Sequence, residues 1–153
     1  MTRNKIGRVV SLKIRDIMTP SVVTVDHEAT IDTAAKIMKQ HNVGAVPVIG
    51  KNAQLQGIVT DRDIVTRNIA NGKDPKTEKV RDIMTTNVST VSPDADVNDV
   101  TRQMAEKQVR RVPVVENGNL VGMATLGDIA VTGDFKTEIS TALCDICEGC
   151  DCK

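Results

Sequence analysis

The sequence predicts a mixed α/β (α+β) fold in which two copies of one small unit, each with a small sheet and two helices, pack face to face as a pseudo-twofold pair. Three observations carry this expectation. The segment KIRDIMTPSVVTV at 13–25 returns as KVRDIMTTNVSTV at 79–91, an offset of 66 residues. Within each copy the hydrophobic period changes between strand-like and helix-like in the same order. The apolar 40% of the 153 residues comes with one Phe and no Tyr or Trp, so Val, Ile, Leu, Met and Ala must build the core and β-branched side chains the strands. A unit of about 55 to 60 residues buries only part of its surface alone, which is why the copies are expected to complete each other.

The elements follow in chain order. Val23 and Val25 open a short extended piece. Ile31, Ala34, Ala35 and Met38 fall at i, i+3, i+4 and i+7, and Val97, Val100, Thr101 and Met104 repeat that spacing, so each copy has one amphipathic helix, with Thr30 and Asp96 as N-caps. The matched Met38 and Met104 are read as core filling. The runs Ala45 to Ile49 and Leu55 to Val59 flank GKNAQ, and Arg111 to Val115 and Leu120 to Ala124 flank ENGN, which predicts two hairpins. A second helix follows each; in the first copy it spans about Asp61 to Ala70 and stops at Asn71-Gly72, with KDPKTE as linker.

Composition excludes several function classes. Twenty basic residues balance twenty acidic ones, and without aromatic platforms the chain is a poor candidate for binding nucleic acid. No stretch reaches the roughly 18 to 20 apolar residues of a membrane span. The opening MTRNKIGRVVSLKIRDIM carries a charge every few positions, unlike a secretory signal, so a cytoplasmic location is expected. His27 and His41 are unmatched in the second copy and read as solvated or capping residues; no nucleophile and base share a suggestive spacing, so no enzyme is expected.

Chemistry concentrates where a strand gives way to a helix, at Thr60-Asp61-Arg62-Asp63 and Thr125-Leu126-Gly127-Asp128. Such a Thr can cap the helix while the Asp three residues on accepts from the cap backbone. The same carboxylate aimed outward can accept from two vicinal hydroxyls, which suits a ribose diol. The DIMT opening, the V-P-V strand and the ending G-h-h-T-x-x-D (h apolar), present in both copies, resemble a cystathionine-β-synthase (CBS) domain, and the tandem resembles a Bateman module over residues 13 to about 133. The boundaries read as a polar segment 1–12, a first CBS domain 13–72, a linker 73–78, a second CBS domain 79–133 and a cysteine-rich tail 134–153.

The resemblance implies a homodimeric regulatory sensor that binds AMP, ADP, ATP or S-adenosylmethionine in clefts between the repeats and signals to a protein partner. It also implies that each cleft joins T-x-x-D of one copy to the opening strand and pre-proline segment of the other. One cleft would hold Thr125 and Asp128 with Met18, Val23, Val43, Gly44 and Ala45. The other would hold Thr60 and Asp63 with Met84, Ser89, Val109, Arg110 and Arg111. Met18 and Met84 would pack against adenine in place of a ring. Gly44-Ala45 is neutral where Arg110-Arg111 offers two guanidinium groups, so the Asp63 cleft is expected to prefer phosphorylated adenosine and the Asp128 cleft to be weaker, empty or tolerant of an uncharged adenosyl compound.

All four cysteines, Cys144, Cys147, Cys150 and Cys152, lie in the last ten residues. Thiolates at C-x2-C-x2-C-x-C can converge on zinc or an iron–sulfur cluster. Redox chemistry, or an acidic thiol-bearing end with no role, are the alternatives. The rival functional reading is therefore a metal or redox protein acting through this tail, with the repeats as a dimerising scaffold.

Overall fold

The structure, a computed structural model, describes residues 11–132 and 136–148, the latter without the side chains at 136–138, 144, 147 and 148. The first copy contributes α1 (Ile14–Ile17), β1 (Thr19–Pro20), β2 (Val25–Asp26), α2 (Ile31–His41), β3 (Ala45–Ile49), β4 (Leu55–Thr60) and α3 (Asp61–Asp63), which continues through a π-helical turn at Ile64–Asn68 and a 3-10 turn at Ile69–Asn71. The second contributes a 3-10 turn at Val80–Asp82, α4 (Val97–Lys107), β5 (Arg111–Glu116), β6 (Asn119–Thr125) and α5 (Leu126–Val131); α6 (Lys136–Glu148) follows.

Local chemistry explains these elements. Thr30 accepts from the Thr33 N–H and Asp96 from the Asn98 N–H, so both expected N-caps form. The face of α2 buries Ile31, Ala34 and Met38, and that of α4 buries Val97, Val100, Thr101 and Met104. In the second hairpin Asn117 and Gly118 both take positive φ (52° and 82°), the conformation that makes Asn-Gly a favoured two-residue turn between twisted strands.

Two three-stranded sheets result, one ordered β2-β3-β4 and the other β1-β6-β5. The order shows an exchange: β1 belongs to the first copy by sequence, yet it pairs antiparallel with β6, Thr19 opposite Met123. Reciprocally, Thr85 bridges Ile58 of β4. The exchange extends to the cores. Ile14 is fully buried with Val97, Val100, Met104, Val112 and Ile129 of the second copy, while Val80 and Ile83 are buried with Ile31, Val46, Val48 and Val59 of the first. Each DIMT opening thus completes the other copy's core, which is the physical form of the predicted face-to-face packing.

The close crossover of these openings requires glycine. A Cβ on Gly57 would lie 2.5 Å from the Thr85 carbonyl oxygen, and one on Gly122 would lie 2.7 Å from Met18 Sδ and 3.0 Å from the Thr19 carbonyl oxygen.

One expectation needs correction. The stretch from 134 is not simply a tail: residues 136–148 form α6, which packs on α4 and α5 and buries Ile139, Ala142 and Ile146 in the second core. The backbone is helical through Cys144 and Cys147, whose side chains lie outside the described residues, as do Cys150 and Cys152 altogether. At the other end, Leu12 packs against the same core and its carbonyl accepts from the Val97 N–H, so the end of the segment read as polar is structural.

Candidate functional site

Both T-x-x-D motifs form the same device. Thr60 donates its N–H (2.9 Å) and its hydroxyl (2.8 Å) to Asp63 Oδ2, and the Asp63 N–H donates back to Thr60 Oγ1 (3.1 Å). Thr125 and Asp128 repeat this at 2.9, 2.8 and 3.1 Å. The capping-box reading of the motif is therefore realised in both copies, and it uses one oxygen of each carboxylate.

The copies differ in the other oxygen. Asp63 Oδ1 faces Arg67 Nε at 3.5 Å, and Asp63 is buried. In the second copy the position of Arg67 is held by Thr132, whose hydroxyl donates to the Ile129 carbonyl of its own helix (2.7 Å).

A cavity of about 400 Å³ opens between the copies beside the first motif. Thr60 and Ile58 line one wall; Thr85, Asn87, Val88 and Ser89 line the second; Lys107, Val109, Arg110 and Arg111 line the third. The geometry brings together Thr60, Ser89, Val109, Arg110 and Arg111 of the expected set. Asp63 stands behind Thr60 in the cap, and Met84 lies under Gly57, its Sδ 3.1 Å from where a Cβ would be; neither lines the cavity. Ile58, Thr85, Asn87, Val88 and Lys107 were not expected. Lys107 was legible as the counterpart of His41, since the repeat alignment sets 107–116 against 41–50.

Charge separates the two expected clefts. The lining of the first holds three cations and no carboxylate. On the other side the corresponding backbone contact, Asp61 N–H to the Gly44 carbonyl (3.0 Å), brings the Asp61 carboxylate to 3.1 Å from the position a Gly44 Cβ would take. The second-copy equivalent is Leu126 N–H to the Arg110 carbonyl (3.0 Å), with Leu126 buried. Anions are thus favoured at Arg110-Arg111 and opposed at Gly44.

The second expected set is less assembled. Met18 lies against Gly122, Ala45 is buried, Val43 is exposed and Val23 half-buried. Thr125 lines a groove of about 370 Å³ with Arg110, Arg111, Leu126, Gly127, Ala130, Ile139 and Leu143, which contains neither Asp128 nor any of those first-copy residues.

Residues 14–69 and 80–131 match the CBS domain family, and the chain belongs to it. It is 42% identical over 133 residues to the CBS domain-containing protein YhcV of Bacillus subtilis, covering 87% of this chain and 94% of that protein. The crystal structure of Hypoxic Response Protein I with two coordinated zinc ions is similar at TM-score 0.73 and 38% identity, covering 78% of this chain and 98% of that one. The crystal structure of CBSX2 in complex with AMP is similar at TM-score 0.70 and 28% identity, covering 79% and 95%. Paired CBS repeats and a mixed α+β fold are thereby established.

Proposed function

We propose that this protein is a regulatory sensor that takes phosphorylated adenosine into the cleft between its repeats and passes occupancy to a protein partner. The observation that carries the reading is the convergence of Thr60 from one copy with Lys107, Arg110 and Arg111 from the other on one cavity of about 400 Å³ without an acid in its lining. Guanidinium groups take phosphate oxygens in pairs, and Ile58, Val88 and Val109 offer apolar faces to a base. The AMP complex of CBSX2 supports adenylate as the ligand class. Ser89 lines the same cavity, while Asp63, behind Thr60 in the cap, and Met84, beneath Gly57, would reach a ligand only by giving up their present contacts. Thr125 and Asp128 with Met18, Val23, Val43, Gly44 and Ala45 would form the weaker one, suited to an uncharged adenosyl compound such as S-adenosylmethionine because Asp61 repels phosphate there.

Without Trp or Tyr the protein barely absorbs at 280 nm, so an absorbance band near 260 nm in purified protein reports bound nucleotide directly. In calorimetric titration ATP and AMP are expected to bind, and Arg110→Ala and Arg111→Ala each to weaken AMP roughly tenfold, the loss of one charged hydrogen-bonding group. S-adenosylmethionine, which brings no phosphate, should lose less affinity than AMP in both variants. Absence of heat with every adenylate at millimolar concentration would refute the reading.

A second reading has its own observation. Because α6 is anchored through Ile139, Ala142 and Ile146, the cysteine segment starts from a fixed place on the second copy. Cys144, Cys147, Cys150 and Cys152 would then hold zinc or an iron–sulfur cluster. Metal analysis of untagged protein should find about one zinc per chain, or a visible iron band, lost when all four cysteines become serine; equal metal in both proteins would refute it.

A further inference from the structure

Among the described residues, Arg67 makes the two T-x-x-D acids chemically unlike. Its Nε faces Asp63 Oδ1 at 3.5 Å, while its NH1 donates to the Ile83 carbonyl (2.8 Å) and to Thr85 Oγ1 (3.3 Å) of the other copy's opening segment. One guanidinium therefore ties the acid of the first copy to a wall of the cleft, since Thr85 lines it. With Oδ2 held by the Thr60 cap and Oδ1 by Arg67, Asp63 has both oxygens engaged.

The helical segment that carries Arg67 is also unusual. Residues Ile64–Asn68 form a π-helical turn, a geometry that inserts an extra residue and is common where function needs a side chain re-aimed. Asn68, at its end, is fully buried, and neither its Oδ1 nor its Nδ2 has a hydrogen-bond partner among the described residues. Buried polar atoms without partners are costly, and Asn68 leaves this turn carrying that cost. From this turn the Arg67 guanidinium reaches across the repeat boundary to Ile83 and Thr85.

We propose that Arg67 is a latch that competes with the ligand's vicinal hydroxyls for Asp63, so that filling this cleft releases the opening segment of the second copy. The inference rests on the proposed adenylate reading and adds to it the link between occupancy and repeat packing. A ribose diol that takes Asp63 Oδ1 displaces the guanidinium, and with it the contacts to Ile83 and Thr85. Binding and the inter-repeat tie are thus opposed, and by reciprocity anything that strengthens the tie weakens the ligand. In the second copy Thr132 bonds within its own helix, so occupancy there has no such readout.

The sign of one substitution decides the matter. Calorimetric titration with AMP and with 2′-deoxy-AMP should be run on the wild type, Arg67→Gln and Arg67→Lys. Removal of the latch is expected to tighten AMP about fivefold in Arg67→Gln, with a smaller gain in Arg67→Lys, whose single ammonium cannot span both copies. The gain should vanish for 2′-deoxy-AMP, which lacks the diol. If the glutamine variant does not fold, the lysine variant carries the same test. AMP binding to the wild type with equal or weaker binding to a folded variant would overturn the latch alone, because Arg67 would then support the site. Silence toward AMP in every protein would overturn the adenylate reading and the competition with it.

Discussion

Asp96 carries two duties at one carboxylate. It caps α4 through the Asn98 N–H (2.9 Å) and accepts from the Ser11 hydroxyl. The Ser11 hydrogen bond first, and the Asn98 backbone N–H second, hold its carboxyl below the usual aspartate range. A depressed folded-state value means that the ionised cap stabilises the fold above the unfolded value, about 3.9, and that this contribution is lost as pH falls through the folded value. Thermal melts between pH 5 and pH 2.5, on the order of that range, should therefore show a shallower acid limb in Asp96→Asn, which keeps a good cap without a titrating group. Near neutral pH, Asp96→Ala should cost about 1 kcal/mol, the usual loss of a cap. Equal acid limbs in wild type and Asp96→Asn would contradict the assignment.

Among the elements, the crossing of β1 over β6 and of the Thr85 segment over β4 is the most demanding contact. Gly57 meets backbone there and Gly122 meets mainly a flexible methionine, so the two glycines are not equivalent despite their matched positions. Gly57→Ala is expected to destabilise by about 1–3 kcal/mol, as overpacking does, and Gly122→Ala by less, because Met18 can move. Denaturant melts of the two variants check the order. The helix α6 follows the same logic in reverse. Its buried Ile146 fills the second core, and Ile146→Ala should cost about 2–5 kcal/mol if the helix is part of the fold, against almost nothing if it were an appendage. This helix was legible: Ile139, Ala142, Leu143 and Ile146 follow the i, i+3, i+4, i+7 pattern. Cys144 and Cys147 fall inside this helix, so the C-x2-C spacing and the helical period overlap in the same residues.

At the level of the whole molecule, the repeats defined by sequence are not the units defined by packing. The stretch 13–72 carries Ile14, which is buried in the other core, and lacks Val80 and Ile83, which are buried in its own. A fragment 13–72 should therefore remain unfolded by circular dichroism, while 18–85, which exchanges one opening for the other, should fold better. Equal behaviour of the two fragments would show the exchange to be energetically minor. The faces left outside both cores also matter: Val65 and Ile69 after α3 and Val131 at the end of α5 are exposed large apolar residues. No helix among the described residues is long and apolar enough to cross a membrane.

The duplicated unit, the hairpins, both helix caps and the cation pair Arg110-Arg111 were determined by the sequence alone, because each depends on residues close in the chain or on a repeat that aligns without structure. The exchange of DIMT openings, the demand for Gly57 and the Arg67–Asp63 contact across to Thr85 were decided only by the tertiary structure. The physical reason is distance: a period of 3.6 or 2 residues fixes which face of an element is apolar, but says nothing about which distant backbone or charge that face will meet.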